Sequence, residues 1–140
     1  MLSKTGLQAV KALAQLAELP EGAYAGAASL AERTGGGANY LGKMLQMLAR
    51  EGLVISQKGS GGGFRLARHP KEISLFDIVE PIDHIARWNG CFMGRPECSS
   101  QSPCAVHHQW ATLRDGYLSF LKHTKLSSLA VGGSTTHEGR

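Results

Sequence analysis

The sequence predicts a mainly α-helical fold with one small β-hairpin. Apolar residues recur at three- and four-residue spacing over 3–18, 38–51 and 106–120, which is the period of an amphipathic helix. Two short β-rich runs flank a glycine-rich stretch at 58–63. At 140 residues the chain is long enough for one modest domain with its own core and too short for two.

The first helix is expected over residues 3–18. Ser3 or Thr5 can cap its start, and Pro20 with Gly22 ends it. Its apolar face is formed by Leu7, Val10, Leu13, Ala14 and Ala17. The helix therefore offers one side to a core.

A short helix over 27–34 and a third helix over 38–51 follow, separated by three glycines. Gly52 stands where a left-handed C-terminal cap is expected. The third helix carries on one face Leu41, Met44, Leu45 and Leu48. Two short helices joined by a tight turn are typical of a helix-turn-helix, whose second helix enters the major groove of DNA. A helical hairpin without that role is the alternative.

The β-rich runs at 53–57 and 64–67 predict a hairpin with a glycine-built tip. Glycine reaches positive φ angles and leaves no side chain in the way, so such a tip can approach a nucleic-acid groove closely. Lys58, Arg65 and Arg68 stand beside it. A nucleotide-binding loop is disfavoured, because that loop needs a Lys-Ser/Thr pair opening a helix, and here a strand follows. Helix, turn, helix and hairpin together predict a winged helix-turn-helix domain.

After the hairpin, Ser74 and Asp77 form a capping pair for a short helix from Leu75 to about Val79, which Pro81 disturbs. Beyond Cys104 the chain is expected to form one long helix. Its apolar residues step by four, three, four and three, as in a heptad seam: Val106, Trp110, Leu113, Tyr117 and Phe120.

That seam favours a long C-terminal dimerisation helix over a helix that packs only on its own core. A symmetric dimer would place two recognition helices on a palindrome with half-sites about one helical turn apart. Leu126 and Leu129 are expected to fold back as a terminal turn. The predicted organisation is a DNA-binding domain over 1–83, a cysteine loop over 84–104, the dimerisation helix and turn over 105–130, and a flexible tail over 131–140.

The chain is basic, with 15 Lys and Arg against 11 Asp and Glu and an isoelectric point near 9.2. This balance favours a polyanionic partner such as double-stranded DNA, although ordinary surface charge has the same sign. There is no apolar run long enough to span a membrane and no signal-peptide pattern, so a cytoplasmic protein is expected. In that reducing compartment three cysteines are unsuited to structural disulfides.

All three cysteines and a histidine fall within 17 residues, spaced Cys91-x6-Cys98-x5-Cys104-x2-His107. A zinc knuckle normally uses tighter gaps, and a thiol switch needs an identifiable pair of cysteines, which the spacing does not single out. An iron-sulfur cluster spreads its ligands over a wider body, so it fits these gaps better. All three chemistries remain open, with the cluster favoured.

An enzyme is disfavoured. His107 and a cysteine could act as base and nucleophile, but catalysis also needs a substrate pocket and a third orienting group. A chain of 140 residues occupied by a winged helix and a dimer helix has little room for either.

Several stretches together resemble the Rrf2 family of winged-helix transcription regulators, and the ligand pattern is closest to the family's iron-sulfur cluster regulators. They are Leu2-Ser3, Gly6, Ala9-Val10, Leu30-Ala31-Glu32-Arg33, Tyr40-Leu41, Gly52-Leu53-Val54, the run Gly59-Ser60-Gly61-Gly62-Gly63-Phe64, and the Cys/His quartet. The resemblance covers the chain to about Ala130. It implies a homodimer that binds a promoter operator and carries in each subunit a cluster, 2Fe-2S or else 4Fe-4S, whose presence or oxidation changes DNA affinity in response to iron, redox state or nitric oxide.

The sequence departs from that pattern at the first cysteine, because the gap from Cys91 to Cys98 is six residues where the relatives have five. In some relatives a carboxylate of the first helix is a ligand. Here that region reads Leu7-Gln8, so His107 is the better candidate for the fourth ligand.

For DNA contact we predict two groups of residues. The start of the third helix supplies base-edge and phosphate contacts through Asn39, Tyr40 and Lys43, with a core position as the alternative for Tyr40. The hairpin enters the adjoining groove through Lys58, Gly59, Ser60, Gly61 and Arg65.

Overall fold

The structure is a computed structural model that describes residues 2–85, 92–93, 101 and 105–132. Its elements in chain order are α1 (Lys4–Ala17), α2 (Ala27–Thr34), α3 (Ala38–Arg50), β1 (Val54–Gln57), β2 (Gly63–Leu66), a 3-10 turn (Pro70–Glu72), α4 (Leu75–Asp83), α5 (His107–His123) and α6 (Leu126–Gly132). A mainly α fold with a small β-hairpin is confirmed.

Helix α1 lies at the centre of the fold. Its N-cap is Ser3, whose hydroxyl accepts a hydrogen bond from the Gly6 N–H at 2.9 Å. The side chains of Ala9, Ala12 and Leu13 have no exposed surface. Helix α1 packs against α2, α3, α4, α6 and β2, so most of the core is arranged around one helix face.

Helices α2 and α3 form the predicted helix-turn-helix. Leu30 of α2 and Leu45 and Leu48 of α3 are buried in the same core as α1. Helix α3 ends at Arg50, and Gly52 follows with φ +83, which is the left-handed conformation expected there.

The two strands pair antiparallel, from Val54 opposite Leu66 to Gln57 opposite Gly63. Ala25 adds a one-residue bridge to Phe64, which ties the hairpin to the segment between α1 and α2. At the tip a Cβ on Gly62 would lie 2.2 Å from the Gln57 carbonyl oxygen, so the turn closes only around glycine. These features make the hairpin the wing of a winged helix.

Helix α4 is longer than predicted. Ser74 and Asp77 form the expected capping box, but the helix continues through Pro81 to Asp83 instead of ending near Val79. Pro81 has no backbone N–H and so removes one hydrogen bond from the helix. The burial of Ile78 and Val79 in the core and the hydrogen bonds between Asp83 and Ser3 outweigh that loss. His84 then ends the helix in the left-handed conformation at φ +52.

Helix α5 begins at His107 with Val106 as its N-cap. The long helix expected over 105–130 therefore begins two residues later than predicted, because Ala105 and Val106 form a turn ahead of it. The helix attaches to the core through Leu118 and Leu121, a face that the heptad pattern did not single out.

Helix α6 replaces the short terminal turn expected around Leu126 and Leu129. Leu126 is fully buried, and its N–H donates to the Ile73 carbonyl at 2.8 Å. Val131 and Gly132, predicted as tail, belong to α6, while 133–140 lie outside the described residues. Across the described ranges, no helix has the length and apolar character needed to cross a membrane.

Two substitutions of glycine by alanine should act in opposite directions on stability. Gly52→Ala forces a side chain into a left-handed conformation and should lower the free energy of unfolding by about 1–2 kcal/mol. Gly42→Ala lies inside α3, where the new Cβ meets only the Ala27 Cβ at 3.6 Å, and should raise it by up to ~1 kcal/mol. Urea unfolding at one protein concentration measures both, and a stabilising Gly52→Ala would contradict the assigned turn.

Candidate nucleic-acid interface and cysteine loop

The first turns of α3 present a polar face to solvent. Asn39 and Lys43 are exposed, and Tyr40 keeps 47% of its surface exposed. Leu41, between Tyr40 and Lys43 in sequence, and Met44, which follows Lys43, are buried on the other side of the helix. Tyr40 is therefore not a core residue, and its hydroxyl is hydrogen-bonded with the Thr5 hydroxyl at the start of α1.

The N-termini of α2 and α3 carry glycine as N-cap, Gly26 and Gly37, and neither has a side-chain capping hydrogen bond. The first backbone N–H groups of a helix carry partial positive charge and have no partner within the helix. Both ends can therefore donate to DNA phosphates, as helix N-termini commonly do.

The tip of the wing is exposed from Lys58 to Gly61, with Gly59 and Gly61 at positive φ. Arg65 lies further back, paired with Ile55 in the hairpin. Its guanidinium stacks over Tyr24 with 5.3 Å to the ring centroid, and its Nε is buried with no hydrogen-bond partner among the described residues. Arg65 thus sits at the base of the wing, whereas the rest of the predicted wing set forms its tip.

Of the four predicted metal ligands, only His107 is within the described residues; Cys91, Cys98 and Cys104 lie outside them. His107 is 8% exposed, and its ring meets the His108 ring edge-on at 5.1 Å between centroids. His108 is exposed, as predicted. In the part of the chain that the structure describes, no three His, Cys, Asp or Glu side chains converge on a possible metal.

The residues at the two ends of the cysteine loop are buried in the folded domain. Ile85, at its start, is 1% exposed, and His107, at its end, is the first residue of α5. Within the loop, the Phe92 ring lies 5.5 Å from the Trp110 ring of α5. Three thiols and a buried imidazole are a donor set suited to iron-sulfur ligation, and both ends of the loop that carries them are fixed to the folded domain.

Sequence reasoning missed the residues that join α1 to its neighbours at its N-terminal end. Asp83 of α4 accepts hydrogen bonds from the Ser3 N–H and hydroxyl, and Thr5 bonds with Tyr40. Burial and the nearby negative charge of Asp83 raise the pKa of Tyr117 in α5. The sequence marks these contacts only indirectly: Ser3 is a candidate helix cap, and Ser3 and Gly6 both belong to the family resemblance.

A winged helix with an exposed polar face on α3, a cationic glycine tip and a basic charge balance defines a DNA-binding transcription regulator. The family model of Rrf2, described as an iron-dependent transcriptional regulator, matches residues 2–132, and the chain belongs to this family. It is therefore a regulator and not an enzyme.

Relatives support the same assignment. The HTH-type transcriptional regulator IscR of Aliivibrio salmonicida is 31% identical over 130 residues, which cover 93% of this chain and 77% of IscR. IscR of Pectobacterium atrosepticum is 30% identical over 128 residues, with 91% and 77% covered. An HTH-type regulator of Aquifex aeolicus is 35% identical over 92 residues, and this match spans 64% of each chain.

Solved structures share the fold. The global cysteine regulator CymR of B. subtilis has a TM-score of 0.76 at 24% identity, covering 94% of this chain and 96% of CymR. IscR of T. potens has a TM-score of 0.74 at 23% identity, with 100% and 92% covered. CymR of Staphylococcus aureus in its oxidized form has a TM-score of 0.74 at 25% identity, with 93% and 95% covered.

Lys58→Ala should weaken binding to a duplex of arbitrary sequence and reduce the slope of log affinity against log salt by about one unit, because one phosphate contact is lost. Lys125→Ala, which removes another exposed lysine, between α5 and α6, is the control and should leave the slope unchanged. Fluorescence anisotropy over a salt series measures both. Equal slopes for wild type and Lys58→Ala would remove the wing tip from the interface.

Proposed function

We propose that this protein is an iron-sulfur-dependent transcription regulator that binds a palindromic operator as a homodimer in the cytoplasm and senses iron supply, redox state or nitric oxide. The observation that carries the proposal is the placement of the Cys/His loop between α4 and α5, two helices that belong to the same core as the recognition helix. A change in the loop then acts on α4, which packs against α1, and α1 in turn packs against α2 and α3 of the DNA-binding motif.

The thiolates of Cys91, Cys98 and Cys104 and the imidazole of His107 would hold the cluster, with 2Fe-2S favoured over 4Fe-4S. When bound, such a group supplies iron that accepts an electron or is lost to oxidants, so its state reports on the cell's chemistry. His107 suits a ligand role because it is buried and fixed at the start of a 17-residue helix.

The homodimer is proposed from the surface that α5 leaves uncovered. Leu118 and Leu121 are used in the chain's own core, whereas Leu113 and Phe120 of the seam are 54% and 53% exposed. Tyr117 stacks on Phe120 with 6.4 Å between ring centroids, which extends the apolar strip. Helices with such a strip commonly pair with a second copy.

DNA binding in this proposal uses Asn39, Tyr40 and Lys43 in the major groove and the wing tip from Lys58 to Gly61 beside it, with Arg65 supporting the wing from its base. Two copies of α3 in the dimer would reach successive major-groove faces, about 34 Å apart. Phosphate contacts position the domain, and the α3 side chains read the bases.

A second candidate is a regulator that uses the same loop as a thiol switch or zinc site. The similarity to CymR, whose structure has been solved in an oxidized form, supports this second candidate. In that case Cys91, Cys98 and Cys104 would respond to oxidants directly, through thiolates, without iron.

Anaerobic purification followed by iron and acid-labile sulfide analysis separates the candidates. We expect a coloured protein with about two iron and two sulfide per chain for a 2Fe-2S cluster, and loss of both in Cys98→Ser. His108→Ala, beside the predicted ligand but exposed, should keep its iron. A colourless protein that holds only zinc, or no metal, would overturn the iron-sulfur proposal.

Leu113→Glu should convert the dimer to a monomer, because it places a charge in the middle of the seam. Thr112→Glu adds the same charge one residue away, at an exposed position off the seam, and should stay dimeric. Sedimentation velocity gives the oligomeric state, and circular dichroism checks that both variants are folded. If Leu113→Glu sediments like wild type, the α5 seam is not the interface.

A further inference from the structure

The carboxylate of Asp83, at the end of α4, is bound at the N-terminus of α1. Its Oδ2 accepts the Ser3 N–H at 3.1 Å, and its Oδ1 accepts the Ser3 hydroxyl at 2.5 Å. The same hydroxyl accepts the Gly6 N–H at 2.9 Å as the helix cap. Hydrogen bonds to a charged acceptor are stronger than neutral ones, and the positive end of a helix favours an anion. Asp83 thus fixes the position of the α1 cap.

Glycine at position 6 leaves room for the carboxylate of Asp83 to approach the first turn of α1. A Cβ on Gly6 would lie 2.4 Å from Asp83 Oδ2, well inside contact distance, so any other residue would push the carboxylate away from the helix. The backbone of Gly6 is ordinary helix, and close approach is therefore the reason that glycine is needed here.

The same turn of α1 contacts the recognition helix. The Thr5 hydroxyl, two residues after Ser3, is hydrogen-bonded with the hydroxyl of Tyr40, which stands exposed in the first turn of α3. Helix α5 packs against α4, and the charge of Asp83 acts on the phenol of Tyr117 in α5. The two helices that flank the cysteine loop therefore contact each other, and α1 joins Asp83 to Tyr40.

We propose that Asp83 is a positioning residue that sets the placement of Tyr40 on the DNA, through Ser3 and the first turn of α1. Asp83 is the last residue of α4, two residues before the loop's buried anchor Ile85, so a shift at the loop moves this carboxylate first. Because Tyr40 takes its position from Thr5, the shift changes which bases or phosphates Tyr40 reaches. The proposal rests on DNA binding by α3 in the proposed function, and it specifies how that binding is regulated.

The test is a double-mutant cycle of Asp83→Asn and Tyr40→Phe on DNA affinity. The probe is a duplex selected from a random pool by the wild-type protein, at one salt concentration. Each single variant should bind about tenfold more weakly, within the range of typical coupling between sites, and the double variant should lose no more than either single. Asp115→Asn, which removes a surface carboxylate of α5, is matched in charge and should bind like wild type.

Two further readouts separate positioning from general damage. The salt slope of the Asp83→Asn variant should stay unchanged, because Tyr40 is uncharged and the contacts of Lys and Arg side chains with phosphates are kept. If Asp83→Asn fails to fold, Thr5→Val replaces it in the cycle, since it removes only the hydroxyl that holds Tyr40. The proposal is overturned if the fold-losses in DNA affinity of the two single variants multiply in the double variant, or if the single variants bind DNA like wild type. All variants of the cycle are prepared in the same way, and their affinities are compared whatever their metal content. Failure of the iron-sulfur proposal is therefore seen in the metal analysis, and failure of the Asp83 proposal is seen in the DNA affinities.

Discussion

Burial of one face of α1 is the constraint on which the rest of the structure depends. Ala9, Ala12 and Leu13 are fully buried, and small residues at two of these positions let other elements approach closely. The helix-turn-helix, the wing, α4 and α6 all pack against this single helix. Because the buried residues of the described ranges form one core, α4, next to the cysteine loop, and the helix-turn-helix share α1 as a packing partner.

In the proposed function, the loop between Ile85 and His107 influences DNA binding through the packing of the core. The loop is inserted between Ile85 and His107, both buried, and its Phe92 packs on Trp110 of α5. Closely packed interiors transmit a displacement instead of absorbing it. In the proposed mechanism, the hydrogen bonds at the start of α1 connect the loop side of the domain to the recognition helix. Ser3 is bonded to Asp83 of α4, and Thr5 is bonded to Tyr40 of α3.

Much of the fold follows from local signals in the sequence. The α2 bounds, the Ser74–Asp77 capping box and the turn at Gly52 were predicted because each depends on a short-range pattern of apolar spacing, capping or glycine. The α4 end was wrong because burial and the Ser3 contact outweigh a proline, and both are tertiary effects. Helix α5 begins at His107, two residues after the predicted start, because Ala105 and Val106 form a turn, and apolar spacing alone does not fix the first residue of a helix. The stacking of Arg65 on Tyr24 and the contacts of Asp83 join residues far apart in sequence, so no local pattern could predict them. The cysteine ligands and the DNA-contacting residues stay predictions.

The central claim is that the Cys/His loop controls the affinity of α3 and the wing for DNA. Its most direct test compares the protein carrying its anaerobically isolated cofactor with the same protein after removal of that cofactor by a chelator, both binding the selected duplex at one salt concentration. The account predicts affinities that differ by about tenfold or more, in the range of ordinary coupling between two sites. Equal affinities would contradict it, because the loop would then be a structural feature with no influence on DNA binding.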